Sequence, residues 1–191
     1  DNAVAIAPSY GMYKVSAAIN NVEMREVQLG EDFSLPVDAL LEACDQNTKL
    51  MFICSPNNPT GNSFPRKDIL RLAEEFEGML IVDEAYIDFA EAESLKSEIE
   101  QYPNIVVLQT MSKAWAMAGL RLGLALADSR VVEIMSQVKY PYNINKAALQ
   151  IVEQLLEESI DDKVAEIVEQ RGVVAEKLAA MPFVSKVYPS D

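Results

Sequence analysis

Two rhythms of apolar and polar positions alternate along this chain. The first is a set of short, nearly continuous apolar runs at residues 3–7, 21–28, 49–54, 79–82, 104–108 and 122–127. Runs of that length rich in Val, Ile, Leu and Met, bounded by Gly, Pro, Asn or Asp, predict buried strands. The second is a helical spacing over 10–19, 36–44, 65–76 and 129–138, then over 146–158 and 162–181 with no strand between these last two. In 65–76, Ile69, Leu72, Ala73 and Phe76 fall at i, i+3, i+4 and i+7, which makes one apolar stripe. Asp128 is placed to cap the helix that follows the sixth strand. A seventh short strand is expected over 184–188. Alternation of this kind predicts an α/β fold: a three-layer, mostly parallel sheet with helices on both faces. No repeat or low-complexity linker divides it, so residues 1–183 read as one domain. Both ends read as cut, because the first strand has no lead-in and 184–191 lead out towards a further domain.

Composition narrows the function. With 191 residues, 50% hydrophobic and 24% charged, the chain has enough apolar material for one sizeable core. A net charge of −14 predicts no nucleic-acid partner and no anionic membrane partner. No long apolar run and no basic-then-apolar leader is visible, and Cys44 and Cys54 lack metal or redox spacing. These features predict a cytoplasmic protein with reduced cysteines. Histidine is absent, which excludes Ser-His and Cys-His triads and most zinc sites within these residues, so no metal site is expected.

In open parallel sheets, ligands sit beyond the carboxyl ends of the strands. Four polar segments lie there: Pro8-Ser-Tyr10, Ser55-Pro-Asn-Asn-Pro-Thr-Gly61, Asp83-Glu-Ala-Tyr86 and Gln109-Thr-Met-Ser-Lys113. Lys113 follows a strand among Met111, Ala114 and Trp115, where an amine would be poorly solvated, and desolvation favours a neutral nucleophile. Arg121, eight residues on, offers a bidentate fork for a phosphate, with the Thr110 and Ser112 hydroxyls beside it. A reactive lysine, two hydroxyls and an arginine outline a pyridoxal-phosphate pocket. Asp83 ends an apolar strand and would serve a pyridinium N–H. A nucleotide-binding acid is the competing reading, but no Gly-x-x-x-x-Gly-Lys-Ser/Thr loop accompanies it. Asn58 and Tyr86 could both bond a phenolate oxygen, and Tyr10 could stack on a flat ring or simply pack as a half-buried tyrosine.

Ser-Pro-Asn-Asn-Pro-Thr-Gly61, Val-Asp-Glu-Ala-Tyr86 and Thr-Met-Ser-Lys-Ala-Trp-Ala-Met-Ala-Gly-Leu-Arg-Leu-Gly123, in this order, resemble the fold-type I pyridoxal-phosphate aminotransferases. Pro-Ser-Tyr-Gly-Met-Tyr13 and Tyr86-Ile-Asp-Phe89 are most similar to the histidinol-phosphate aminotransferases within them. The resemblance spans essentially the whole chain. It implies that Lys113 links to the cofactor and shuttles the reacting proton, with Asp83 on the pyridine nitrogen. Asn58 and Tyr86 would bond the ring oxygen, Tyr10 would stack, and Thr110, Ser112 and Arg121 would hold the phosphate. Lys113, Asp83 and Tyr86 are then the catalytic set. It further implies a homodimer, an amino donor and a 2-oxo acid acceptor as substrates, and histidinol phosphate with 2-oxoglutarate as the pair, in histidine biosynthesis. A phosphate loop before Asp1 and a small domain carrying a carboxylate-binding arginine would be needed as well, so residues 1–191 alone are expected to be incomplete as an enzyme. An aromatic or broad-range aminotransferase, a threonine-phosphate decarboxylase and a non-catalytic regulatory domain of the same fold stay open as alternatives.

Overall fold

Six strands form one sheet in a computed structural model that describes residues 1–191. They are β1 (Asn2–Ala7), β2 (Glu23–Gln28), β3 (Thr48–Cys54), β4 (Met79–Asp83), β5 (Ile105–Thr110) and β6 (Gly123–Ala127). Their order is β2-β1-β3-β4-β5-β6; the first five are parallel, and β6 runs antiparallel to β5. The helices are α1 (Met12–Ile19), α2 (Val37–Glu42), α3 (Arg66–Glu75), α4 (Ser129–Val138), α5 (Lys146–Leu155) and α6 (Asp161–Ala179). The α/β architecture with helices on both faces is the one expected.

Element ends move by a few residues for local reasons. β2 starts at Glu23 rather than residue 21, because Asn21 is left-handed (φ 53°) and the Val22 amide still bonds back to Ala17 in α1. The Asp128 side chain accepts from the Arg130 amide and caps α4 as expected, and Asn145 caps α5 in the same way through Ala148.

The strand expected over 184–188 does not form. The chain end takes its backbone partners from a loop instead of a strand edge. The Asp191 amide donates to the Gly61 carbonyl at 2.7 Å, and the Asp191 carboxylate accepts from the Ser63 amide at 2.7 Å. Tyr188 packs against Phe33, with ring centroids 4.7 Å apart.

Alternation along each strand separates two faces. Val4 and Ile6, Met51 and Ile53, Leu80 and Val82, and Ile105 and Val107 point to one side and close a core with Leu40 of α2 and Ile69, Leu72 and Ala73 of α3. The predicted stripe of α3 is thus the one that packs. The alternate positions, on the other side, include Phe52, Cys54 and Asp83; α1 covers part of this face by stacking Tyr13 on Phe52. Beyond β5 the cover thins. No residue of α4 or α6 is buried, and α5 buries only Ala148 and Val152. No helix is long and apolar enough to cross a membrane.

Candidate active site

A cleft of about 280 Å³ opens at the carboxyl ends of the parallel strands. Tyr10 reaches it from the loop after β1, Cys54 and Asn58 from β3 and its turn, and Asp83, Ala85 and Tyr86 from the end of β4. Thr110, Ser112 and Lys113 enter from the end of β5, and Arg121 from the turn before β6. All eight residues singled out from the sequence therefore line one cavity. Topology does this: parallel strands deliver their carboxyl ends to the same edge, so segments far apart in sequence converge.

The β3 turn is fixed from beneath by Asn57, which the sequence reading passed over. Its buried amide donates to the Pro8 carbonyl at 3.0 Å and to the Thr60 hydroxyl at 2.8 Å, and its oxygen accepts from Ser9 at 2.9 Å. That ties the Tyr10 loop to the Asn58 turn. Gly61 closes the turn at φ 81°, a conformation that suits glycine, and an added Cβ would meet the Ser190 hydroxyl at 2.5 Å. Asn58 then stands with its amide 3.5 Å from the Tyr86 hydroxyl, at the outer limit of a hydrogen bond. Two donors at that loose separation are free to turn to a shared acceptor.

Asp83 and Glu84 part company at the end of β4. Glu84 is buried and accepts from the Ser94 hydroxyl, the Leu95 amide and the Gln109 amide at 2.6, 2.7 and 2.9 Å, so it is fully engaged as a structural anchor. Asp83 faces the cleft. One oxygen accepts from the Ala85 amide at 3.1 Å and the other from the Tyr13 hydroxyl at 2.5 Å. Burial, then Cys54 and Asp83, hold the Tyr13 phenol far above its ordinary range, so it stays a donor. Burial likewise pushes the Cys54 thiol up to about 11, with Asp83, its register partner on β4, adding to the effect. The sequence reading missed Tyr13. Its signal was available in part, because Tyr10 and Tyr13 are three apart at a helix start and so share a face.

Lys113 differs from expectation. The residue is exposed rather than poorly solvated, and its amine lies over the Tyr86 ring, 4.9 Å from the centroid. The strand ends one turn earlier than Lys113, so the amine projects into the open cleft. Arg121 is left-handed at φ 57°, and one guanidinium nitrogen holds the Ala118 carbonyl at 2.9 Å. The Thr110 hydroxyl donates to the Leu122 carbonyl and accepts from the Ser112 amide, bracing the turn between β5 and β6. No ion pair of the chain involves Lys113 or Arg121. Two cations without an ion-pair partner on one cleft of a chain carrying −14 overall favour an anionic ligand. The donor set fits a pyridine ring bearing an aldehyde, a phenolic oxygen and a phosphate: an amine, a carboxylate, an amide–phenol pair, and a guanidinium with hydroxyls.

The chain is 46% identical to a histidinol-phosphate aminotransferase of Flavobacterium johnsoniae over its whole length, which covers 55% of that relative. The histidinol-phosphate aminotransferase structure from Clostridium acetobutylicum superposes with a TM-score of 0.89 at 25% identity, over all of this chain and 59% of that one. A Sinorhizobium meliloti enzyme of the same name, solved in complex with pyridoxal-5'-phosphate, shares the fold at a TM-score of 0.75 and 22% identity, over 93% of this chain and 51% of that one. The chain spans about half the length of the curated relatives it matches. The sequence profile described as aminotransferase class I and II matches residues 1–190, and on that span the chain belongs to the class I and II aminotransferase family.

Proposed function

We propose that the cleft binds pyridoxal 5'-phosphate and that residues 1–183 are the cofactor-binding domain of a histidinol-phosphate aminotransferase, with 184–191 leading to a smaller domain. The observation that carries the reading is the convergence of Tyr10, Asn58, Asp83, Tyr86, Thr110, Ser112, Lys113 and Arg121 on one cavity with both cations unpaired. The names of the most similar relatives support the choice of histidinol phosphate as amino donor and 2-oxoglutarate as acceptor. Action in histidine biosynthesis, a cytoplasmic location and a homodimer are part of the same proposal.

The bound cofactor supplies an aldehyde that captures primary amines and a protonated ring that draws electrons from the carbon bearing the amine. The chain's own residues do the rest. Lys113 would provide the amine that anchors the cofactor and, once freed, would take the proton from the substrate Cα and deliver it to the cofactor carbon that bore the aldehyde. Asp83 keeps the ring nitrogen protonated. Asn58 and Tyr86 donate to the ring oxygen, and Tyr10 covers a ring face. Arg121 grips the phosphate as a fork, with Thr110 and Ser112 adding hydroxyl donors. Holding both ends of the cofactor fixes the reacting carbon relative to Lys113, which is the orientation term of the rate.

The test is competition kinetics on the full-length protein with histidinol phosphate and phenylalanine as amino donors. A preference for histidinol phosphate is expected. A preference for phenylalanine would replace this reading with an aromatic aminotransferase.

A further inference from the structure

Tyr13 has no place in the roles assigned above, yet it is built into them. It lies in the first turn of α1, and only 9% of its surface is exposed. Its hydroxyl donates to Asp83 across 70 residues of sequence, at 2.5 Å. Its ring is clamped on two sides, stacked on Phe52 at 4.9 Å and 18°, and edge-on to Tyr10 at 5.5 Å and 83°. With the Ala85 amide on the other oxygen, the Asp83 carboxylate is held at both ends. We infer that Tyr13 is the positioning residue for this cleft: its hydroxyl fixes the direction of the Asp83 carboxylate, so that the carboxylate would stay aligned on the proton of a cofactor ring nitrogen.

The inference rests on the pyridoxal-phosphate reading and deepens it. A hydrogen bond from a neutral phenol to a charged carboxylate is charge-assisted; it draws electron density from the oxygen and sets its direction. A carboxylate lacking that donor turns more freely, and its charge no longer stays aligned on the ring proton. The ring then withdraws electrons less well. Tyr13 touches Tyr10 as well, so the same side chain aligns the aromatic wall and the acidic partner.

The experiment uses full-length protein loaded with pyridoxal phosphate labelled with ¹⁵N in the ring, and reads the ring-nitrogen NMR signal beside steady-state kinetics. Tyr13→Phe keeps the stacked ring and removes the donor. The expected result is a nitrogen signal moved towards the unprotonated form and a kcat reduced about tenfold, the loss that goes with one hydrogen bond to a charged group. KM for the amino donor should stay within about twofold, since no substrate contact is removed. In an Asp83→Asn background, Tyr13→Phe should change neither signal nor rate further, because it acts only through Asp83. An unmoved nitrogen signal in Tyr13→Phe, or an equal extra loss in the Asp83→Asn background, overturns the inference and leaves the cofactor reading standing. A wild-type protein that takes up no cofactor overturns both. Should Tyr13→Phe fail to fold, fluorotyrosine at position 13 keeps shape and hydroxyl with a stronger donor; the signal should move in the opposite direction, and no movement overturns the inference.

Discussion

The two faces of one sheet carry different properties, and neighbouring residues show it. Val82 and Ile53 point into a dry core and are fully buried; Asp83 and Cys54, one residue on, are register partners at the cleft edge. The core face is closed by α2 and α3. The other face is covered in part by α1, whose Tyr13 links packing to the carboxylate. Because a strand turns its side chains to alternate sides, stability and chemistry are separated by a single step along the chain. Substitutions one residue apart should therefore have different consequences.

The largest expected effect is at Asp83. In full-length protein, Asp83→Asn should lower transamination about a thousandfold, about 4 kcal/mol in barrier, because a neutral amide no longer secures the ring proton. Its unfolding free energy should change by only about 1 kcal/mol, the worth of one hydrogen bond. Turnover close to wild type would show that the faces are not divided as described. The reverse pattern is expected on the core face. Leu80→Ala removes a fully buried side chain and should cost about 2–5 kcal/mol in denaturant unfolding, with the visible spectrum of the bound cofactor retained. Ile134 on α4, 62% exposed, is the control: its alanine variant should stay within about 0.5 kcal/mol of wild type.

A smaller effect sharpens the same contrast through pH. The Cys54 thiol is raised to about 11, against about 8.5 for a free thiol. The folded state therefore holds its proton more tightly than the unfolded one. Its contribution to stability is intact below about pH 8.5 and is lost as pH rises through 11, on the order of 2 kcal/mol by pH 10. Denaturant melts at pH 8 and pH 10 should show that decline in wild type, and Cys54→Ala should reduce it. Alkylation of folded protein at pH 8 should reach the half-buried Cys44 before Cys54. Faster labelling of Cys54 would contradict its burial.

Much of this was legible in the sequence because it depends on local rules. The α3 stripe at Ile69, Leu72, Ala73 and Phe76 is the stripe that packs, and the Asp128 cap is the cap that forms. Convergence of seven of the eight cleft residues followed from strand ends, and Arg121 from its spacing after Lys113. What escaped depends on distant partners. Nothing local to Tyr13 reveals a carboxylate 70 residues away, and nothing in Glu84 reveals that it turns from the cleft to Ser94, Leu95 and Gln109. The alternation at Val184-Ser-Lys-Val-Tyr188 is a strand pattern, but a strand also needs a free edge to pair with, and this segment meets the Gly61 loop instead. The solvation of Lys113 depended on where the turn after β5 leaves the amine, which apolar neighbours in sequence do not determine.

The central claim is that Lys113 is the lysine presented to the cofactor aldehyde in this cleft. Full-length protein loaded with pyridoxal phosphate, reduced with borohydride and digested for peptide mapping, tests it directly. The account predicts a pyridoxyl group on Lys113, with none formed in Lys113→Ala. A pyridoxyl group on any other lysine of the wild-type protein would contradict it.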